Sequence, residues 1–374
     1  MWYANARVFT PRGSVSGCFE VTEGRFGRIL PGACPDPAAV DLGGAKVIPG
    51  LVDIHTHGNS GADFSDGDPE GLRRMARYLA AHGVTSFAPA SMTLPYETLA
   101  RAFAAARQLH DAPDPGCARI VGIHMEGPFL SETKKGAQNA AHLRLPDFSA
   151  FEGLQKDCGG LIRLVDVAPE LEGAVDFTRR AARLCAVSVA HTDADYDRTC
   201  AVFDAGASHI THLFNAMPPV HHRRPGVIGA GSERESVTAE LICDGMHVHP
   251  SAVRMAFRLF PGRICLISDA LRCCGLPDGP CELGGQTAFL KDGVARLADG
   301  TIAGSAVTLA DCLRNAVRFG IPEDEAVAAA TLNPARAIGA DADLGSVEPG
   351  KRADFLVCGE DLRVLRVFVD GAEI

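Results

Sequence analysis

Imidazole and carboxylate side chains recur where apolar runs of the sequence end. The clearest case is His55-Thr56-His57, in which one residue separates two histidines. On an extended chain these two side chains point to the same side, so both rings can face one point. Imidazole and carboxylate together suit zinc, iron and similar divalent ions. The run ends that carry such residues are His55 with His57, His124 with Glu126, His191, His212, Asp244 with His247, and Asp269.

One histidine or glutamate at such a position is as typical of a satisfied polar residue as of a metal ligand. Independent core histidines would have no reason to recur at successive run ends, so the set as a whole predicts a metal centre. His209 is expected to be packed on the opposite face of the strand that carries His212. Further histidines on helical or loop stretches are expected to lie outside the site, with the last two exposed to solvent: His82, His110, His142, His221 and His222.

The apolar runs predict the elements that must position these residues. They are short and β-branched, and amphipathic stretches rich in Ala, Leu and Arg separate them, which is typical of a parallel sheet with helices. Eight candidate strands lie at 46–55, 84–90, 119–126, 161–168, 186–191, 208–213, 237–243 and 264–268. Candidate helices include 69–82, 96–110, 175–184, 251–260 and 308–319.

Eight strands with intervening helices predict an α/β fold of the closed (β/α)8 TIM-barrel type, whose active face is the rim at the carboxyl ends of the strands. An open doubly wound sheet fits the strand count equally well. Against it, no G-x-G-x-x-G follows the first strand, so the usual dinucleotide signature is missing.

The two ends of the chain differ from its middle, because both consist of short apolar pieces broken by Gly and Pro. Such pieces indicate small antiparallel strands and turns. The sequence therefore predicts one small β-sandwich domain built from residues 1–48 and 345–374. Residues 49–344 would form the barrel that carries the site.

Composition limits the classes of partner. The chain has 374 residues, with 36 Lys and Arg against 46 Asp and Glu, a net charge of −10. With no runs of Lys and Arg, this balance argues against binding nucleic acid or an anionic membrane. The 13 cysteines include no C-x-x-C pair, which favours a reducing, cytoplasmic setting. No export signal or membrane span is expected, because no apolar run is long enough.

Six motifs resemble those of the N-acetylglucosamine-6-phosphate deacetylase family, within the amidohydrolase superfamily. The first, Pro-Gly-Leu-Val-Asp-Ile-His-Thr-His-Gly at 49–58, is shared widely across the superfamily. The others are more specific and follow in the family's order, and the resemblance runs from about residue 3 to residue 372. They are His124-Met-Glu-Gly-Pro-Phe129, Thr211-His-Leu-Phe-Asn-Ala-Met217, Asp244-Gly-Met-His-Val248, Ser268-Asp-Ala270 and Gly304-Ser-Ala-Val-Thr308.

This resemblance implies metal-dependent hydrolysis of the N-acetyl group of N-acetylglucosamine 6-phosphate, with one or two zinc or iron ions per subunit. Glu126, His191 and His212 match the family's principal metal ligands, and Asp269 matches its catalytic acid and base. The arginine equivalent to Arg223 reaches the phosphate in the neighbouring subunit, so a homodimer is also implied. The positions matching those that hold the sugar phosphate are Ala137, Asn215, Ala216, Arg223, His247, Ile302, Ala303 and Gly304.

Two positions vary within the family. Some members lack the His-x-His pair, whereas His55 and His57 are both present here, which allows a second ion bridged to the first through Glu126. Gln138 matches the position at which several family members have a histidine close to the substrate carbonyl. Glutamine can donate a hydrogen bond but carries no charge, so either its role differs or the metal polarises the carbonyl more strongly.

Alternative readings stay open from the sequence. Asp269 is a candidate metal ligand as well as a proton carrier, and the sugar could be the galactosamine epimer. A cyclic-amide hydrolase is disfavoured, since many of these use a modified lysine at the end of the fourth strand, and 161–168 contains none. A non-catalytic metal-binding protein would usually have lost Asp269 or a ligand, and all of them are present.

Overall fold

A computed structural model describes all 374 residues and contains the eight parallel strands expected from the apolar runs. The third strand is interrupted, because residues 121 and 122 leave the ladder. The barrel strands are β1 (Leu51–Thr56), β2 (Val84–Pro89), β3 (Arg119–Ile120 with Ile123–Met125), β4 (Ile162–Val167), β5 (Ala186–Val189), β6 (His209–Ile210), β7 (Thr238–Ile242) and β8 (Ile264–Ile267).

These strands follow one another around a closed barrel. The second part of β3 and strands β4 to β8 pair in sequence order as one parallel sheet, while β1 pairs with β2 and β2 pairs with the first part of β3. Beyond the end of β8, the amide of Asp269 donates to the carbonyl of His55 at 2.9 Å, which joins the last strand to the first. The (β/α)8 prediction is therefore confirmed, and the open sheet is wrong because the edges of β1 and β8 meet.

Ten helices connect and flank the strands, and those predicted from the sequence are all present within a few residues of their predicted ends. The first shows why: Asp68 caps it by accepting from two backbone amides, and Pro69 occupies its first turn. The helices are α1 (Pro69–Ala81), α2 (Tyr96–Asp111), α3 (Phe148–Asp157), α4 (Ala174–Ala181), α5 (Tyr196–Asp204), α6 (Gly226–Ser232), α7 (Pro250–Leu259), α8 (Leu309–Arg318), α9 (Glu323–Ala330) and α10 (Leu332–Ala337).

Strands from both chain ends share a second sheet of eight strands. Lys46–Pro49 joins the two ends, since it pairs with Trp2–Thr10 on one side and with Phe355–Cys358 on the other. Aromatic rings from both ends pack together behind it, with Phe355 stacked on Phe368 at 4.2 Å between centroids. The remaining strands are Gly13–Thr22, Arg25–Pro31, Val40–Asp41, Val364–Val369 and Ala372–Glu373. The domain boundaries at 48/49 and 344/345 stay a prediction.

A three-stranded antiparallel sheet after β8 was not predicted. Its strands are Gly279–Leu283, Gln286–Lys291 and Val294–Leu297. Two-residue turns join them, Gly284-Gly285 and Asp292-Gly293, and all four residues have positive φ. Gly-Gly and Asp-Gly pairs are typical of tight hairpin turns, so the sequence did contain a signal for this sheet. We call this sheet the rim hairpin sheet. Separately, Gly58–Asn59 pairs with Ala62–Asp63 in a small hairpin beyond β1.

None of the ten helices has both the length and the apolar character that crossing a membrane would require.

Candidate metal centre

The predicted site residues surround one cavity of about 360 Å³ at the carboxyl ends of the barrel strands. Apolar side chains of Met92, Leu271 and Leu283 form part of its wall, the last contributed by the rim hairpin sheet. The predicted residues that line it are His57, Glu126, Ala137, Gln138, His191, His212, Asn215, Ala216, His247, Asp269, Ile302 and Gly304.

Three predicted residues lie elsewhere. His55 is fully buried directly behind the cavity wall, and Ala303 is fully buried between two lining residues. Arg223 is exposed on the loop that precedes α6 and does not line the cavity of its own chain. The structure thus brings together the metal and proton-carrying candidates, and leaves Arg223 facing solvent.

Glu126 is the centre of the site, and its two oxygens face two different groups of imidazoles. Oε1 lies 2.9 Å from Nε2 of His191 and 3.2 Å from Nε2 of His212. The two imidazole nitrogens are themselves only 3.0 Å apart. All three side chains are buried, so water screens none of them. Three ligand atoms this close together match the donor set of a divalent ion.

The hydrogen bonds behind the rings fix which ring nitrogen faces the cavity. Nδ1 of His191 lies 2.8 Å from the carbonyl oxygen of Lys134, and a carbonyl only accepts. Nδ1 therefore carries the proton, and a neutral ring turns the lone pair of Nε2 toward Glu126. A lone pair facing a carboxylate oxygen is unfavourable unless a cation or a proton lies between them. The arrangement therefore fits a metal ion.

The second oxygen of Glu126 repeats this arrangement. Nε2 of His57 lies 3.2 Å from Oε2 of Glu126 and 3.2 Å from Oδ1 of Asp269, while its Nδ1 is bound to the carbonyl of Ala90 at 3.0 Å. Nε2 of His55 is buried without a hydrogen-bond partner, 3.7 Å from the same two carboxylate oxygens. A second group of donors thus surrounds Oε2, as expected for the His-x-His pair.

Burial and the close contacts between these side chains shift the pKa values of the site. Burial alone would lower the pKa of His57, but hydrogen bonds to Asp269 and Glu126 raise it to about 10. Burial would raise the pKa of Glu126, yet hydrogen bonds from His191 and His212 hold it well below its usual range. Burial would raise the pKa of Asp269, but the hydrogen bond from His57 and the charges of His55 and His57 together lower it. Both carboxylates are therefore ionised at neutral pH.

Beneath the site lies a buried carboxylate that the sequence reasoning missed. Glu240, on β7, is fully buried, accepts from Nδ1 of His55 at 2.8 Å, and accepts from the backbone amide of His212 at 3.2 Å. Nε2 of His209 lies 3.2 Å away, so this histidine is packed as predicted. The available signal was a single charged residue inside an apolar strand, Thr-Ala-Glu-Leu-Ile at 238–242.

A third cluster of residues that could hold a metal, formed by His55, His124 and Glu240, is better explained as a hydrogen-bonded group. Nδ1 of His124 faces the carbonyl of Ile54 at 3.2 Å, and Nε2 faces Asp166 at 2.9 Å. Both ring nitrogens are already in contact with hydrogen-bond acceptors, so neither is free to face a metal ion. This cluster supports the site from below.

Backbone strain concentrates at the strand ends that carry the site. His191, His212 and Asp269 have φ values of 41°, 30° and 47°, the left-handed region that residues with a side chain rarely adopt. Each such residue costs about 1–3 kcal/mol and persists only where its surroundings impose it. Gly127, next to Glu126, has φ 86°, and a Cβ there would lie 2.2 Å from Oγ1 of Thr93. These turns aim the side chains into the cavity.

The comparisons with known proteins agree with this geometry. The amidohydrolase family model matches residues 46–374. The chain is 37% identical over 336 residues to the N-acetylglucosamine-6-phosphate deacetylase of Vibrio furnissii, covering 89% of this chain and 84% of that protein. It is 36% identical to the N-acetylgalactosamine-6-phosphate deacetylase of Escherichia coli O157:H7, with 90% of each covered. The crystal structure of N-acetyl-D-glucosamine-6-phosphate deacetylase from Mycobacterium smegmatis superposes with a TM-score of 0.94, at 36% identity and full coverage of both chains.

Metal binding should release protons and strengthen as the pH rises. The pKa of His57, raised to about 10, means that an ion must displace a proton from this ring at neutral pH, and the raised pKa of His191 acts in the same direction. We expect about one proton released per Zn²⁺ at about pH 7, and an affinity that increases as the pH rises toward about 10, the pKa of His57. Calorimetric titration of chelator-stripped protein in two buffers of different protonation enthalpy measures this release. His142→Ala, on a loop outside the cavity, is the control; an affinity independent of pH would contradict the expectation.

Proposed function

The chain belongs to the amidohydrolase family, and on that premise we propose that it removes the N-acetyl group of N-acetylglucosamine 6-phosphate by metal-dependent hydrolysis. The products are glucosamine 6-phosphate and acetate. The observation that carries this conclusion is the convergence of Glu126, His191, His212 and Asp269 on one cavity, in a chain that matches deacetylases of this substrate over most of its length.

A divalent ion is the cofactor that these donors suit. Glu126, His191 and His212 would hold it, and His55 and His57 with the other oxygen of Glu126 would hold a second. We propose zinc or iron, because the donors are imidazole and carboxylate without thiolate. When bound, such an ion acts as a Lewis acid and lowers the pKa of water to around 7.

Asp269 is proposed to move the proton. Its carboxylate lines the cavity and is ionised at neutral pH, so it can accept the proton of the attacking water. Once protonated, the same carboxyl can donate to the amide nitrogen, which leaves as an amine only if it receives a proton. Asp269 lies just beyond the end of β8, and its Oδ1 is 3.2 Å from the same His57 nitrogen that contacts Oε2 of Glu126, so the same carboxyl group is available for both transfers.

The sugar phosphate would occupy the part of the cavity farther from Glu126, lined by Asn215, Ala216, His247, Ile302 and Gly304. His247 is held by Asp244, whose Oδ2 accepts from Nδ1 at 2.7 Å, so Nε2 is left to face a ligand. The phosphate also needs a cation. We propose that Arg223 supplies it to the neighbouring subunit of a homodimer, because this exposed guanidinium has no ion pair in its own chain.

A cytoplasmic location is part of the proposal. All thirteen cysteines are free thiols, and a reducing compartment keeps them so.

The direct test is acetate release from N-acetylglucosamine 6-phosphate by the purified protein, with metal content measured on the same sample. We expect release that a chelator abolishes and a divalent ion restores. N-acetylgalactosamine 6-phosphate is the second candidate substrate, because the relative named for that epimer is about equally similar. Release from neither epimer by protein with bound metal would reject the proposal.

Asp269→Asn should reduce turnover by about 10²- to 10⁴-fold, the usual contribution of a positioned proton carrier. Asparagine keeps the size of the side chain but cannot carry the proton. The variant should retain its first metal ion, since Glu126, His191 and His212 are unchanged. Near-normal acetate release with metal bound would exclude the proton-transfer role, and loss of the first ion would indicate ligation instead.

Arg223→Ala should raise KM for the phosphorylated substrate by about 10- to 100-fold, as expected for loss of a charge-assisted hydrogen bond. KM for N-acetylglucosamine, which has no phosphate, should change little. Arg224→Ala is the matched control, since it removes the adjacent exposed charge. Equal loss for both substrates would point to a structural role for Arg223.

A further inference from the structure

Gln138 is held at both ends inside the cavity wall. Its side chain is 3% exposed, its Oε1 accepts from the backbone amide of Thr93 at 2.7 Å, and its Nε2 donates to Oε2 of Glu126 at 2.8 Å. The loop that carries it is fixed as well, because the side chain of Gln286 on the rim hairpin sheet donates to the carbonyl of Ala137 at 2.7 Å. The amide therefore has a defined position with respect to Glu126.

The orientation of this amide is imposed by its neighbours. A backbone N–H can only donate, so the end of Gln138 that meets Thr93 must be the oxygen. The NH₂ group is then directed at the carboxylate of Glu126. A flipped amide would set its oxygen against a carboxylate oxygen at 2.8 Å and its NH₂ against an N–H, which loses both hydrogen bonds.

We infer that Gln138 is a positioning residue. Its fixed N–H holds the Glu126 carboxylate so that Oε1 faces His191 and His212, and this N–H takes up one of the acceptor sites of Oε2. This inference rests on the proposed function only for the identity of the site as a metal centre. The hydrogen bond from Gln138 to Oε2 makes the two ion positions unequal. The position at Oε1 is preorganised and tight, whereas an ion at Oε2 shares that oxygen with a hydrogen-bond donor.

Zn²⁺ binding to chelator-stripped protein, measured by competition with a chromophoric chelator, tests this inference. Gln138→Met has nearly the same shape but no donor, so Glu126 loses its orienting contact. We expect the affinity for the first Zn²⁺ to fall by about 10- to 100-fold, the usual effect of removing a group that orients a ligand. Unchanged affinity would overturn the inference.

Gln138→Glu tests the hydrogen-bond donor of Gln138 separately from the packing of its side chain. This variant can still accept from Thr93, but it turns a second carboxylate oxygen toward Oε2 of Glu126. Two such oxygens within hydrogen-bond distance require a cation or a proton between them. We expect the second Zn²⁺ to bind more tightly than in the parent protein. No change in the affinity for the second ion would contradict the unequal positions.

Gln155 offers a matched control far from the site. It is also a buried glutamine held at both ends, since Ile162 donates to its Oε1 and accepts from its Nε2, each at 2.9 Å. Gln155→Met should lower thermal stability and leave Zn²⁺ affinity unchanged. Equal losses of Zn²⁺ affinity in the two methionine variants would show a packing effect and overturn the inference.

Acetate release, measured on the same preparations, distinguishes failure of the positioning role of Gln138 from failure of the proposed substrate. A parent protein that binds Zn²⁺ and responds to Gln138→Met, but releases no acetate from either amino-sugar phosphate, would retain the positioning role and reject the proposed substrate.

Discussion

The buried carboxylate of Glu126 is the constraint on which the rest of the site depends. An ionised carboxylate removed from water costs several kcal/mol unless positive charge and hydrogen bonds compensate it. Here each oxygen meets one imidazole whose opposite nitrogen is bound to a backbone carbonyl: His191 to that of Lys134, and His57 to that of Ala90. Because each carbonyl accepts from Nδ1 of its ring, the lone pair of Nε2 in each ring is directed at Glu126. This geometry makes the centre suited to a cation before any cation arrives.

A barrel meets this constraint because its strand ends converge from distant parts of the sequence. The lower part of its interior is apolar, with Val52, Ile54 and Leu164 fully or nearly fully buried. Polar residues replace apolar ones toward the rim, where Glu240 and Asp166 balance the histidines above and beside them. The apolar layer supplies burial energy, and the charged layer above it sets the direction of the rings. Strained backbone at His191 and Asp269 is held in place by both.

Much of this organisation was predictable from the sequence, and the exceptions have physical causes. Strand ends with His and Asp were predictable because burial on both faces leaves β-branched runs, and a polar residue at the end of a run is conspicuous. The role of Glu240 was not predictable, because a charged residue inside a strand can be interpreted only from its partners. Those partners are His55 on β1 and the backbone amide of His212 just beyond β6. The orientation of Gln138 could not be predicted, because the backbone amide of Thr93, distant in sequence but adjacent in space, directs its donor at Glu126.

The sheet shared by the two chain ends has a consequence for the order in which the protein forms. Strand Lys46–Pro49 leads directly into β1, yet one of its two neighbours, Phe355–Cys358, follows in the sequence only after all eight barrel strands. Contacts between residues so far apart in sequence form late and slowly. The nascent chain must therefore carry an unpaired strand edge and exposed aromatic rings beside the first barrel strand until Phe355–Cys358 has been synthesised. Truncation of the last few strands would leave this edge open for good, and aggregation is the characteristic fate of such an edge.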